Sequence, residues 1–201
     1  MISSDRLIRD SGDSGDVECY AMFDNALVGV QQATNQLLVL GVLDATGQPT
    51  GATGPFAIEL IARSPDDNNA TVSFTGAMGI LEPLLDDGTL VVRSGETDFA
   101  TIATPGWKGE TAATRLAAVQ AVRDGRVYST IYTDTRQLAE LAVTLVDAIL
   151  QGEGPETNDL TSYDDGVMVV PSYLLKSPVV TAGNHEQILI DSGYYTPEDL
   201  A

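Results

Sequence analysis

The chain has 201 residues, and 29 acidic against 10 basic side chains leave a formal charge of −19 and a sequence pI near 4.1. That length suits one sizeable domain or two small lobes, and 43% hydrophobic with 19% charged residues is the mix of a folding chain, not a disordered one. The few scattered basic residues exclude a phosphate-reading nucleic-acid surface, and the acidic excess repels an anionic membrane.

Met1–Arg6 has neither the basic start nor the apolar core of a secretory peptide, so as written the chain is expected to stay in the cytosol. No apolar run approaches the roughly 20 residues of a membrane span, and no direct insertion is expected. Cys19 lies in the strand-like run Val17–Tyr20, where a buried small hydrophobe is the expected role. Asn25–Leu40 reads as a helix with Val30, Thr34, Leu37 and Leu38 on its apolar face, stopped by Gly41. Asp44–Pro55 is a Gly/Thr/Pro-rich loop, and Phe56–Ala62 follows as a strand apolar on both faces, as in a buried parallel sheet. Ser64–Asn69 then opens a helix whose stripe is Phe74, Met78, Leu81 and Leu85, ending before Gly88.

Leu90–Val92 is a short strand, Glu110–Asp124 a helix, and Val127–Tyr132 a β-branched and aromatic strand. Asp134–Gln151 is the clearest helix: Asp134 with Gln137 resembles a capping box, and Leu138, Leu141, Ala142, Leu145 and Ile149 form one stripe. The tail 153–201 is Gly/Pro/Asp-rich, broken by Val167–Val170 and Ile188–Ile190. Alternating strands and helices argue for an α/β fold, a parallel sheet flanked by helices.

Few residues suggest chemistry. One cysteine excludes an internal disulfide, and with His185 the sole histidine a zinc site lacks ligands. His185 is the one candidate for a Ser–His–Asp arrangement, but it lies in a polar stretch that reads as surface. Gly51–Gly54 precedes its strand and lacks the lysine of a phosphate loop, so no metal or cofactor is expected. Neighbouring acids such as Asp66-Asp67, Asp86-Asp87 and Asp164-Asp165 do not face each other, and solvated charge explains them. A glycosidase would need two carboxylates about 5–9.5 Å apart across a cleft, which nothing here suggests; an enzyme is not expected.

Open parallel sheets bind ligands beyond the carboxyl ends of their strands, and Ser64–Asn69 sits there at a helix start. Asn68 and Asn69 offer donors and acceptors suited to a neutral hydroxylated ligand, although Asp, Asn and Pro also start helices with no ligand at all. Trp107, on the loop Pro105–Lys108, is either a platform for the apolar face of a sugar or a cover for the core edge. Arg6, after Asp5 at a strand end, is suited to bidentate hydrogen bonds with vicinal hydroxyls.

The runs Asp5-Arg6-Leu7-Ile8, Phe23-Asp24-Asn25 with Val28-Gly29, and Ser64–Ala70 resemble monosaccharide-binding proteins of bacterial ABC importers. So do Tyr128–Arg136, Val169–Leu175 and Asp191–Tyr195, and the branch they are most similar to is the xylose/galactose/glucose type of class I periplasmic binding protein. The resemblance implies a two-lobed receptor that closes on one neutral sugar and hands it to membrane permease subunits. It implies sugar contacts from Arg6, from Asn68 or Asn69, and from Trp107 as the stacking aromatic. Asp24, Asn25, Tyr132, Thr133 and Asp134 match hinge crossings.

By the same resemblance, residues 1–24 correspond to the end of a first lobe, 25–132 to the second lobe, 133–152 to a first-lobe return helix and 153–201 to a hinge return and tail. The family places the protein in the periplasm or at the cell surface. Compared with the family, the chain starts late in the first lobe and has a gap near Leu116-Ala117; Thr133 replaces a lysine, and Ala62-Arg63 replaces two glycines. Weak or absent sugar binding is therefore expected. A different class stays open, a remnant that only self-associates or binds a partner through exposed apolar stripes, among them the leucine stripe of Asp134–Gln151.

Overall fold

The computed structural model describes residues 1–7, 17–58, 60, 62–103 and 129–200. The expected helix Glu110–Asp124, the gap near Leu116-Ala117 and Trp107 lie outside them. The chain divides into two units, Met1–Asp24 with Thr133–Ser177 and Asn25–Tyr132 with Pro178–Ala201. It therefore passes from one unit to the other three times, at Asp24–Asn25, Tyr132–Thr133 and Ser177–Pro178.

In the first unit, β1 (Ile2–Ser4), β2 (Cys19–Phe23) and β6 (Ser172–Leu175) form a parallel sheet in the order β1-β2-β6. Every residue of β2 is buried, as a central strand covered on both faces requires. Cys19, Ala21 and Phe23 face α4 (Thr135–Leu150), where they pack with Leu138 and Leu145. Tyr20 and Met22 face the other way, against Val17, Tyr163 and Val170. The leucine stripe of α4 is thus covered by its own sheet, contrary to the expectation that it faces water or a partner. A short apolar sheet needs a cover, and the amphipathic helix that follows in the same unit supplies it. Val143, Val146 and Leu150 are the large apolar residues of α4 left exposed.

The second unit holds α1 (Asn25–Val39), β3 (Phe56–Ile58), α2 (Asn68–Asp86), β4 (Leu90–Val92) and the short α3 (Phe99–Ile102). β3 and β4 pair in parallel, and Ile58, Leu90 and Val92 point into a core with Ala33, Leu37, Val42 and Leu81. Their registered neighbours Ala57 and Val91 are exposed, so β3 is not apolar-buried on both faces as its composition suggested. The buried face of α1 is Val28, Gly29, Ala33 and Leu37; of the expected stripe only Leu37 is fully buried. On α2 the buried residues are Asn69, Ala70, Ser73 and Leu81. Small residues let the two helices approach: a Cβ added at Gly29 would strike the Ser73 carbonyl, and one at Gly76 the Ala26 carbonyl.

β5 (Ser129–Ile131) does not pair with β3 among the described residues; it runs antiparallel to β7 (Val179–Thr181). A π-helical turn at Glu186–Ile190 follows, burying Leu189 against Val180 and Tyr132. No helix among the described residues is long and apolar enough to cross a membrane.

Candidate functional site

Arg6 follows β1 on a backbone with an unusual turn. Asp5 has φ 65°, the one positive value among described residues other than glycine. Its N–H donates to the Ala21 carbonyl at 3.1 Å, while the Arg6 N–H donates back to the Ser4 carbonyl at 2.8 Å. An i→i+2 hydrogen bond around a positive φ is the strained form of γ-turn. The Arg6 side chain is exposed, and among the described residues no carboxylate forms an ion pair with it.

Asn68 and Asn69 are the first two residues of α2. Asp67 caps this helix: its buried carboxylate accepts from the Asn69 N–H at 3.0 Å, and its N–H donates to the Ser64 carbonyl at 3.2 Å, closing the turn over Pro65 and Asp66. Capping orients the asparagines differently. Asn68 is exposed and Asn69 is buried, so Asn68 is the one presented to solvent. Arg6 belongs to the first unit and the two asparagines to the second.

The crossing residues are also held by local bonds. Asp24 donates its N–H to the Leu175 carbonyl at 2.8 Å, and Tyr132 donates its N–H to the Pro178 carbonyl at 3.0 Å. Buried Asp134 caps α4, accepting from the Arg136 N–H at 2.9 Å. The Arg136 guanidinium adds Nε at 3.0 Å and Nη2 at 2.7 Å to the two carboxylate oxygens. Asp134 thus fills its half of the expected capping box and takes the Arg136 fork as well, while Gln137 bonds it through its backbone N–H, 3.0 Å from the Asp134 carbonyl. Asn25, the first residue of α1, is buried.

A cavity of about 610 Å³ lies within the second unit, beside β3 and between α1 and α2. Ile58, Ala62, Ser73 and Leu81 form part of its wall, with Arg63 and Arg93 as its described cations. The Ser73 hydroxyl is buried with no hydrogen-bond partner among the described residues. Cys19 is buried in the core of the first unit, and desolvation pushes its thiol pKa up, as suits an inert packing residue. His185 is half-buried, its Nδ1 3.0 Å from the Ala182 carbonyl. Among the described residues no group of three His, Cys, Asp or Glu side chains is placed to hold a metal.

No protein-family model matches the chain. The multiple sugar-binding periplasmic receptor ChvE of Rhizobium radiobacter is 35% identical over 253 residues, taking in 100% of this chain and 69% of the receptor. The chain belongs to this family of sugar-binding periplasmic receptors. A second member, the multiple sugar-binding periplasmic protein SbpA of Azospirillum brasilense, is 35% identical over 98% of the chain and 67% of its own length. Among solved structures, an ABC transporter solute-binding protein of Clostridium phytofermentans with bound β-D-glucose superposes with a TM-score of 0.83. It is 34% identical, and the match covers 100% of this chain and 74% of that one. The ChvE alignment is 52 residues longer than the 201-residue chain, so the receptor has residues opposite gaps in this one. The α/β architecture with parallel strands is thus shared with a solute-binding protein of an ABC transporter.

The sequence pointed to the residue types at both strand ends, Arg6 and Asn68/Asn69, but not to the turn that carries Arg6. Asp5 is the only local hint, because aspartate enters positive φ more readily than most residues. Two of the bonds that fix the turn come from β2, which no local pattern reveals.

Proposed function

We propose that the chain is the solute-binding component of a sugar importer, taking a neutral monosaccharide of the glucose, galactose or xylose type and delivering it to a permease. The observation that carries this reading is the likeness, over the whole chain, to a solute-binding protein holding β-D-glucose. Arg6 supplies charge-assisted donors to adjacent hydroxyls, Asn68 with Asn69 supplies amide donors and acceptors, and Trp107 supplies an apolar platform. No bond is made or broken. Asp24, Asn25, Tyr132, Thr133 and Asp134 act as hinge residues that absorb the dihedral change on closure. The working compartment is the periplasm, as the names of ChvE and SbpA state for those proteins.

The test is a titration of the full chain with D-glucose, D-galactose, D-xylose and L-arabinose, followed by protein NMR so that weak binding is seen. Saturable shifts with at least one sugar, weaker than micromolar and reduced by Arg6→Ala and Asn68→Ala, are expected. No saturable response to any of the four overturns the reading.

A further inference from the structure

We infer that Ser3 and Tyr20 are positioning residues for Arg6: two buried hydroxyls lock the strained turn that presents its guanidinium. The inference rests on the reading that Arg6 meets the sugar, and it adds residues that act through it.

Three consecutive carbonyls around Arg6 are all occupied. That of Ser4 accepts from the Arg6 N–H. The carbonyl of Asp5 accepts from the Tyr20 hydroxyl at 3.0 Å. The carbonyl of Arg6 itself accepts from the Ser3 hydroxyl at 2.7 Å. Both donors are rigid. Ser3 is 2% exposed and Tyr20 0%, and the Tyr20 ring meets that of Tyr163 edge-on with centroids 5.1 Å apart. The sulfur of Met22 lies 2.7 Å from the same hydroxyl. A single phenolic proton goes to the better acceptor, the carbonyl, and the thioether, which has no proton to give, is only a packing neighbour of the hydroxyl.

This arrangement fixes the main chain of Arg6 on both sides while leaving its side chain in solvent. A residue other than glycine keeps a sparsely populated backbone only where its surroundings over-determine it, and such places cluster at ligand sites. Here the surroundings are the two hydroxyls. Aligning a flexible arginine before the ligand arrives cuts the ordering cost of binding, which is how a group that never touches the ligand raises affinity.

The test is a double-mutant cycle on the full chain, with D-glucose affinity read by NMR titration and the hydrogen-exchange rate of the Arg6 amide read in parallel. Tyr20→Phe and Ser3→Ala should each weaken D-glucose about tenfold in the wild-type background and not at all in the Arg6→Ala background. The Arg6 amide should exchange faster in both variants, and Ser3→Thr should restore both readouts. Equal losses in the two backgrounds mean a merely structural role and overturn the inference, as does unchanged affinity in chains that Arg6→Ala weakens. If wild type takes up no D-glucose, or Arg6→Ala has no effect on it, the reading that Arg6 meets this sugar fails instead. The exchange rate then decides alone: unchanged exchange in Tyr20→Phe with Ser3→Ala overturns the locked turn, and faster exchange supports it.

Discussion

An aspartate at φ 65° carries a cost that a glycine would not. At Asp5 the cost is about 1–3 kcal/mol, offset by bonds from Ala21, Ser4 and Tyr20. Asp5→Gly is therefore expected to leave stability unchanged or slightly raised, whereas Asp5→Val, branched at Cβ, should lose about 2 kcal/mol or more in urea melts. If Val is tolerated as well as Gly, the turn is not strained. Much at this scale was legible in the sequence. Asp134 read as a helix start from residue type and is a cap, whereas Asp67, read with Asp66 as solvated charge, is buried as the cap of α2. The turn at Asp5 was not legible, because one of its two hydroxyl determinants lies fifteen residues away on a neighbouring strand.

The pair α1–α2 shows where periodicity misleads. Reading large apolar residues puts Val30, Thr34 and Leu38 inward on α1, yet the contact is built on Gly29 and Ala33. Backbone-to-backbone approach removes more water than side chains held apart, so the small face is the buried one. Gly29→Ala places a methyl group against the Ser73 carbonyl and the Ala77 amide, neither of which can swing aside. A loss of about 1–3 kcal/mol is expected. Gly79→Ala, where an added Cβ meets nothing within 4 Å, should gain about 0.5–1 kcal/mol from helix propensity alone. Thermal melts of the two variants should move in opposite directions, and a shared direction would refute the close crossing. The β5–β7 pair was equally illegible: its partner comes from the tail, and no local pattern specifies that its strands run antiparallel.

For the whole molecule, a net charge of −19 opposes compaction, so added sodium chloride should raise the melting temperature at neutral pH. Acid works through particular carboxyls. The Thr46 hydroxyl and the Gln48 and Thr46 amides hold Asp44 below the ordinary range. Thr89 does the same for Asp87, and Thr196 for Asp199. A native pKa below the unfolded one gives stability that is complete above the ordinary aspartate value, about 3.9, and lost as pH falls through the lower native values. Melts across a pH series should show that decline, shallower in Asp44→Asn. The α/β class was legible at this scale from the alternation of strand-like and helix-like runs along the chain, although β2 is covered not by the next helix but by α4. The interleaving of the two units could be anticipated only through family likeness. It has a consequence during synthesis. Tyr20 takes its ladder partner from Ser172, so β2 leaves the ribosome long before β6 exists to complete its sheet. Until then the earliest-made apolar strand has an open edge, a state that invites aggregation or chaperone capture. Translation halted between Tyr132 and Ser172 would release a chain whose second unit had most of its parts and whose first still lacked β6.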